Sequence, residues 1–382
     1  MPEGISRRST KFRVRECQKH GILRIEWRVR RIWRGMQMAE ITIKDIAKQC
    51  GVGVSTVSRA INNHPDINPE TKKMILEVID RTGFIPNNSA RNLKRTDAKC
   101  IAVLVKGITN PFFSSMIQII EEETQRNKYA LVLRHVEAQE DEIDVALELE
   151  KEKRLRGIVF LGGKFEHSEE KIRKLKVPFI FSTIGVNVPD QINKMEFSNI
   201  AVDDRMESEK MTEYLLNLGH RKIALITERS ERPIGRLRTE GFRRAYAERG
   251  LEAPDELICY VQEDIDHYSM ENGYLTAKKL LESGKEVTAI YAVADALAIG
   301  ACRAVLEAGK RIPEDISVAG YDGIEMGEYY NPKLTTIKQP VEKMAKKTIR
   351  LLLDVIGERR EHQQIVFPAE LVVRESTGPC TK

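Results

Sequence analysis

Residues 41–63 read ITIKDIAKQCGVGVSTVSRAINN, and this stretch decides how the rest of the chain is understood. Thr42 stands where a helix opens, and its hydroxyl is expected to accept from backbone N–H groups that a first turn leaves unpaired. Ile43, Ile46 and Ala47 recur at i, i+3 and i+4, the apolar stripe of a short helix. Gly51 follows where the chain must turn sharply, a place that suits a residue tolerant of positive φ. A second helix, Ser55 to Ile61, is predicted to bury Val57 and Ile61 and to expose Ser55, Ser58, Arg59 and Asn62. Hydroxyls, a guanidinium and an amide on one exposed face are groups that hydrogen-bond base edges and phosphates. A third helix, Pro69 to Arg81, offers Ile75, Val78 and Ile79 to close a small core.

The chain then runs FIPNNSARNLKR through residues 84–95. Pro86 and Asn87 break it, and Ser89 to Lys94 have room for one or two helical turns, which water alone does not hold; such a segment orders when docked. VSTVSRAIN, the FIPN turn and the ARNL segment resemble the DNA-binding headpiece and hinge of the LacI/GalR family of bacterial transcription regulators, and the resemblance continues over residues 39–376. It implies a homodimer whose paired headpieces grip a pseudo-palindromic operator in double-stranded DNA, because two-fold protein symmetry calls for a two-fold site. Base readout then falls to Val54, Ser55 and Arg59, with Thr42, Thr56, Ser58 and Asn62 on phosphates. In the hinge the resemblance assigns Asn87, Ala90, Leu93 and Lys94 to DNA. Leu93 is the wedge between central base pairs, and the energy lost in unstacking is offset by contacts to the bent duplex. Lys94 and Arg95 stand where the family usually has small residues, adding phosphate contacts and salt sensitivity.

Composition fits a soluble, multi-domain protein of the cytoplasm. No run approaches the ~20 apolar residues of a membrane span. Cys17, Cys50, Cys100, Cys259, Cys302 and Cys380 are scattered without CxxC or His/Cys ligand spacing. They read as free thiols, and neither a metal site nor a cofactor is expected. Residues 1–37 hold eleven Lys/Arg and three Asp/Glu, a charge of +8 in a chain whose total is +5, so residues 38–382 carry −3. This tail reads either as a basic arm adding non-specific DNA affinity or as sequence ahead of a start at Met36 or Met38, near which the resemblance begins. The second reading is favoured, and no function is placed on the tail. The expected organisation is a tail over 1–37, a helix-turn-helix domain over 38–85, a hinge over 86–98 and a two-lobed body over 99–382.

From Lys99 onward short apolar runs alternate with helical patterns: IAVLV, YALVLRHV, GIVFLGG and VPFIFST, and then, after Gly219–His220, KIALIT, ICYV, AIYAV and ISVAGYD. This βαβ rhythm, restarting midway, predicts two doubly wound parallel-sheet lobes, the α/β fold that follows the helical headpiece. LNLGHRKIALI, ISVAGYDG, NPKLTTIKQP and LVVRES are similar to the family's regulatory domain, which resembles periplasmic sugar-binding proteins of type I. That similarity implies a small sugar-like effector held between the lobes. It places Asn110, Phe112 and Phe113 of ITNPFF, Thr183, Arg238 of GRLRTEGF, Tyr268, Asp295, Asp322 and Gln339 on the effector. Rings stack on apolar sugar faces, amides bond hydroxyls, and a guanidinium forks two oxygens. Asp295 has a second reading, as a helix cap, and the phenylalanines have one as core.

Three departures from the family pattern bear on effector identity. Thr183-Ile184 replaces a frequent Asp-Arg, Ala294 replaces Asn or Ser, and Lys106 replaces a residue that is often acidic. If Lys106 faces the cleft rather than solvent, the balance shifts to positive and suits an anionic effector, a sugar phosphate or sugar acid. Rival classes fit less well. A transport-type binding protein would not carry the headpiece, and no histidine has a nucleophile at readable spacing, so an enzyme is not expected. A regulator docking a phosphorylated carrier protein would want arginines where Ala308 and Glu325 stand. LVVRES is followed by no leucine heptads, which favours a dimer over a tetramer. A regulator, and most simply a repressor, is the function read here.

Overall fold

The computed structural model describes residues 41–61, 63–84, 99–137, 139–164, 167–183, 197–229 and 233–381. They fall into two compact units, divided between residues 95 and 96. Of the residues assigned above to DNA, Asn62, Asn87, Ala90, Leu93 and Lys94 lie outside the described residues.

The first unit is three helices, α1 (Ile43–Cys50), α2 (Val54–Ile61) and α3 (Pro69–Thr82). Its core consists of Ile46, Ala47, Val57, Ala60, Ile75 and Val78, with Ile43, Ile61, Ile79 and Phe84 partly buried around them. Val57 and Ala60 are buried and Ile61 is partly buried against them, since positions three and four apart share a face of this short helix. Gly51 ends α1 at φ 64°, the left-handed cap that glycine adopts without penalty. Asn68 caps α3, its Oδ1 accepting from Glu70 and Thr71 N–H at 2.9 and 3.4 Å. Thr42 is the N-cap of α1, as expected. Its side chain and Asp45 form a capping box, and beyond that its hydroxyl donates to Asp45 Oδ2 (2.6 Å), the same carboxylate that takes the Thr42 N–H (2.9 Å). Asp45 therefore caps the turn reciprocally, and the Thr42 hydroxyl and N–H hold its carboxyl below the usual range.

The second unit holds two six-stranded sheets. The first lobe runs β1 (Cys100–Lys106), α4 (Pro111–Arg126), β2 (Ala130–Val136), α5 (Glu142–Glu152), β3 (Leu155–Leu161), α6 (Glu169–Ile172), β4 (Phe179–Ser182) and β5 (Ser198–Val202). The second runs α7 (Asp204–Asn217), β6 (Ile223–Thr227), α8 (Pro233–Ala247), β7 (Ile258–Tyr260), α9 (Met270–Glu282) and β8 (Ala289–Ala292). It continues through α10 (Asp295–Glu307), β9 (Ser317–Asp322), α11 (Met326–Tyr329) and β10 (Thr335–Lys338). The chain then returns. α12 (Val341–Ile356) packs against α4 and β3 and β11 (Gln364–Phe367) pairs with β5, both in the first lobe, before β12 (Glu370–Val372) pairs with β10 in the second. The strand orders are β11-β5-β4-β3-β1-β2 and β12-β10-β9-β8-β6-β7. Every pairing is parallel except β12 against β10, so the second sheet carries one antiparallel edge strand that the βαβ rhythm did not announce.

Strand sequence follows sheet position. β1 is buried along Cys100–Val105 and sits inside its sheet, whereas β2, at an edge, exposes Leu133 and alternates poorly. In the second lobe α9 and α10 touch backbone to backbone. A Cβ at Gly300 would lie 2.0 Å from the Met270 carbonyl oxygen, and one at Gly273 would lie 2.2 Å from that of Leu297. Glycine at both positions is what lets α10 seat its first turn under β9. His220 is structural, with Nδ1 3.0 Å from Thr288 Oγ1 and Nε2 3.0 Å from the Gly378 carbonyl.

Candidate functional site

In open parallel sheets the carboxyl ends of strands face a crevice, and here the two sets of strand ends face the same one. A cavity of about 1020 Å³ lies between the lobes. It is lined by the end of β1 (Lys106), the segments just past β3 and β4 (Gly162, Thr183) and past β6 (Glu228), the end of β9 (Asp322) and the residue after β10 (Gln339). Asn110, Phe112, Phe113, Arg238 and Tyr268 complete the set read from sequence. Asp295 is not among the lining residues and is corrected. It is fully buried, its Oδ2 accepting from Gly323 and Ile324 N–H (2.7 and 2.8 Å) and its Oδ1 from the Thr336 hydroxyl (2.6 Å). Its carboxylate therefore holds the loop after β9 from behind.

Asn110 opens α4, its Oδ1 accepting from Phe112 N–H (3.0 Å), and its Nδ2 reaches across to donate to Asp322 Oδ2 at 3.1 Å. The other oxygen of Asp322 accepts from Gln339 Nε2 (2.9 Å) and lies 4.0 Å from Arg238 Nη1. Burial pushes the Asp322 carboxyl up to about 6, against the pull of Arg238 and of its two amide donors. Asp322 and Thr183 both have positive φ, 117° and 74°, a strain that non-glycine residues carry mostly where function needs the geometry. Thr183 Oγ1 accepts from Gly162 N–H (3.1 Å). Phe112 and Phe113 meet edge to face at 5.4 Å, both largely buried.

Arg238 is nearly fully buried. Nε and Nη2 lie 2.9 and 2.8 Å from Asp204 Oδ1, Nη1 donates to the Val293 carbonyl, and the guanidinium lies 3.5 Å from the centre of the Tyr321 ring. Burial works against its charge, yet Asp204 and the groups around it more than compensate, so its pKa stands well above the ordinary value.

Sequence reading missed Glu228. This buried carboxylate accepts from Tyr268 OH (2.6 Å) and Gly235 N–H (3.1 Å), and His267 Nδ1 lies 3.8 Å away. A Cβ at Gly235 would lie 2.3 Å from Glu228 Cγ, so a glycine two residues into α8 makes room for it. Only the seven-residue spacing hints at this, and it matches no common motif. Lys106 resolves the alternative left open above: it lines the cleft, with its charge paired. Its ammonium, 10% exposed, neither points to solvent nor stands free. It donates to the Glu140 carbonyl (2.6 Å) and Glu142 Oε2 (3.3 Å). Among the described lining residues six carboxylates (Glu137, Glu228, Glu263, Asp264, Asp266, Asp322) face four cations (Lys106, Lys164, Arg236, Arg238), so the cleft is not a basic one.

The headpiece offers a second surface. Val54, Ser55 and Arg59 are exposed along α2, whereas Thr56 and Ser58 are half-buried. Among the described residues no helix is long and apolar enough to cross a membrane.

Residues 42–87 match the family described as bacterial regulatory proteins, lacI family, and residues 212–377 match a periplasmic binding protein-like domain. The chain is similar to the HTH-type transcriptional regulator MalR of Clostridium butyricum, 37% identical over 338 residues that cover 88% of this chain and 99% of the relative. A LacI family transcriptional regulator from Enterococcus faecium, solved with bound ribose, is 32% identical with a TM-score of 0.63 and covers 74% of this chain and 99% of its own. The transcriptional regulator CelR in complex with cellobiose is 26% identical with a TM-score of 0.62, over 88% and 99%. Headpiece, cleft and relatives agree across nearly the whole described chain, and the protein belongs to the lacI family of bacterial regulatory proteins.

Proposed function

We propose that this regulator is a cytoplasmic homodimer that represses by holding a two-fold operator, and that an uncharged, hydroxyl-rich effector in the cleft controls its grip. The observation that carries the reading is the bond from Asn110 in one lobe to Asp322 in the other. A ligand with several hydroxyls competes with such a bond or bridges it, and so changes the angle between lobes. Ribose and cellobiose in two relatives support a sugar. The volume of the cleft, at the upper end of the ~300–1,000 Å³ range of small-molecule pockets, leaves room for a disaccharide as well as a monosaccharide. An anionic effector is not proposed, because Lys106 is committed to Glu142. Val54, Ser55 and Arg59 are assigned to base edges. Thr42, Thr56, Ser58 and Asn62 are assigned to phosphates, and Asn87, Ala90, Leu93 and Lys94 to the hinge on DNA.

The test is a full-chain thermal-shift panel of ribose, glucose, cellobiose, maltose and their phosphates or acids, followed by operator binding with and without each hit. Coupling between sites is typically ~1–3 kcal/mol and reciprocal. A hit among the neutral sugars that changes operator affinity supports the reading, and the direction of change separates inducer from corepressor. Binding of the phosphates or acids alone would overturn it.

A further inference from the structure

We propose that Asp204, which stands behind the cleft and is not among its lining residues, is the specificity residue that commits the effector site to uncharged hydroxyls over phosphate or carboxylate groups. This rests on the reading of the cleft as a sugar site. Arg238 brings a guanidinium to the lining of the cleft. An arginine there would ordinarily favour an anion, because its fork matches carboxylate and phosphate oxygens. Here the fork is already taken from the rear. Asp204 Oδ1 receives both Nε and Nη2 and also the Tyr321 hydroxyl (3.1 Å). Asp204 is 1% exposed and is the first residue of α7. Its ion pair is therefore screened little by solvent, and it cancels the positive charge that Arg238 would present.

With Nε and Nη2 on Asp204 and Nη1 on the Val293 carbonyl, the guanidinium offers the cleft a paired charge rather than an open fork, and the Asp322 carboxylate lies 4.0 Å from Nη1. Donors and acceptors side by side, without excess charge, suit vicinal hydroxyls. A phosphate beside Arg238 would meet the Asp322 carboxylate, with the Arg238 charge already paired to Asp204. The second oxygen of Asp204, Oδ2, is buried and has no hydrogen-bond partner among the described residues. Buried polar atoms without a hydrogen-bond partner are few in folded proteins. A carboxylate kept for its charge, rather than for the number of bonds it makes, accounts for the arrangement.

The experiment uses the full chain and isothermal titration with ribose, cellobiose, ribose 5-phosphate and cellobionate, together with inorganic phosphate as a probe independent of the sugar. Wild-type protein should bind its better neutral sugar at least about tenfold more tightly than the corresponding anion. Asp204→Asn keeps the shape and one acceptor but frees the charge of Arg238, and should shift that ratio toward the anion by about tenfold. Inorganic phosphate should then raise the melting temperature of Asp204→Asn, an effect lost in Asp204→Asn/Arg238→Gln. Parallel weakening of neutral and anionic ligands in Asp204→Asn would make Asp204 a packing residue and overturn the proposal. If Asp204→Asn does not fold, the wild-type ratio decides, and a preference for the anion overturns it. A wild type that binds none of the four sugars sinks the sugar reading, and this proposal with it; an unshifted ratio sinks this proposal alone.

Discussion

Asp322 joins both lobes through a single carboxylate, with Asn110 on one oxygen and Gln339 on the other. Its carboxyl, pushed from 3.8 up to about 6 chiefly by burial, has a consequence for stability. A carboxyl raised in the folded state contributes stability that is fully present below its unfolded pKa and is lost as pH rises through the folded one. The stability of wild type relative to Asp322→Asn, measured by urea unfolding, should therefore shrink between about pH 4 and pH 7. Asp295, pushed up to about 8 by burial and by Asp322, works in the same direction. A difference that grows with pH would contradict the assignment. Individual residues were legible in proportion to how local their partners are. Asn110 and Phe112 read correctly as cleft lining from six consecutive letters. Glu228 did not, because its partner Tyr268 lies forty residues away. Lys106 was ambiguous because Glu142 is thirty-six residues distant. Asp295 misled for a physical reason: a residue just past a parallel strand and at the start of the next helix can line the cleft or hold the turn, and only the bonds to Gly323, Ile324 and Thr336 separate the two.

Among the elements, α2 is the one with a specific job, and it is only eight residues long. Val57 and Ala60 fix it to the headpiece core, which leaves Arg59 exposed on the opposite face. We expect Arg59→Ala to cost operator affinity by about 1–3 kcal/mol if Arg59 makes a bidentate base contact, with effector affinity unchanged. Gel-shift titration on the operator and on random duplex of equal length checks this. Equal losses on both would reassign Arg59 to phosphate. Helices and strands with strong patterning were legible in place, from the stripe of α1 to the continuous apolar run of β1. The returning pieces were not. β11 and β12 are four and three residues with mixed exposure, too short for a period to show, and what defines them is the strand each lies beside.

At the scale of the whole molecule, a helix of eight residues reads about half of an operator, so a second copy is needed. Tyr329 on α11 is 81% exposed, with Met326 48% and Leu306 44% exposed in the same lobe. Met326 and Tyr329 stand three apart on one face of α11, and we propose this apolar pair as part of the seam between two copies of the chain. Tyr329→Asp should convert the dimer to monomer in sedimentation velocity and abolish operator binding at nanomolar protein, while leaving sugar affinity in place. A dimer that persists would move the interface elsewhere.

The path of the chain through the two sheets sets an order on its birth. β1 to β5 leave the ribosome first, yet the strand that completes their sheet, β11, and the helix that covers it, α12, are synthesised after nearly the whole second lobe. Until residue 367 has emerged, the nascent first lobe exposes the open edge of β5 and the stretch of β3 around Gly157 against which Leu352 and Ile356 will pack. Such an edge is where growing chains pair wrongly with one another. A nonsense codon after Gly357 would therefore damage the earliest-made half of the body as well as the latest, and the protein has little use for a half-finished copy of itself.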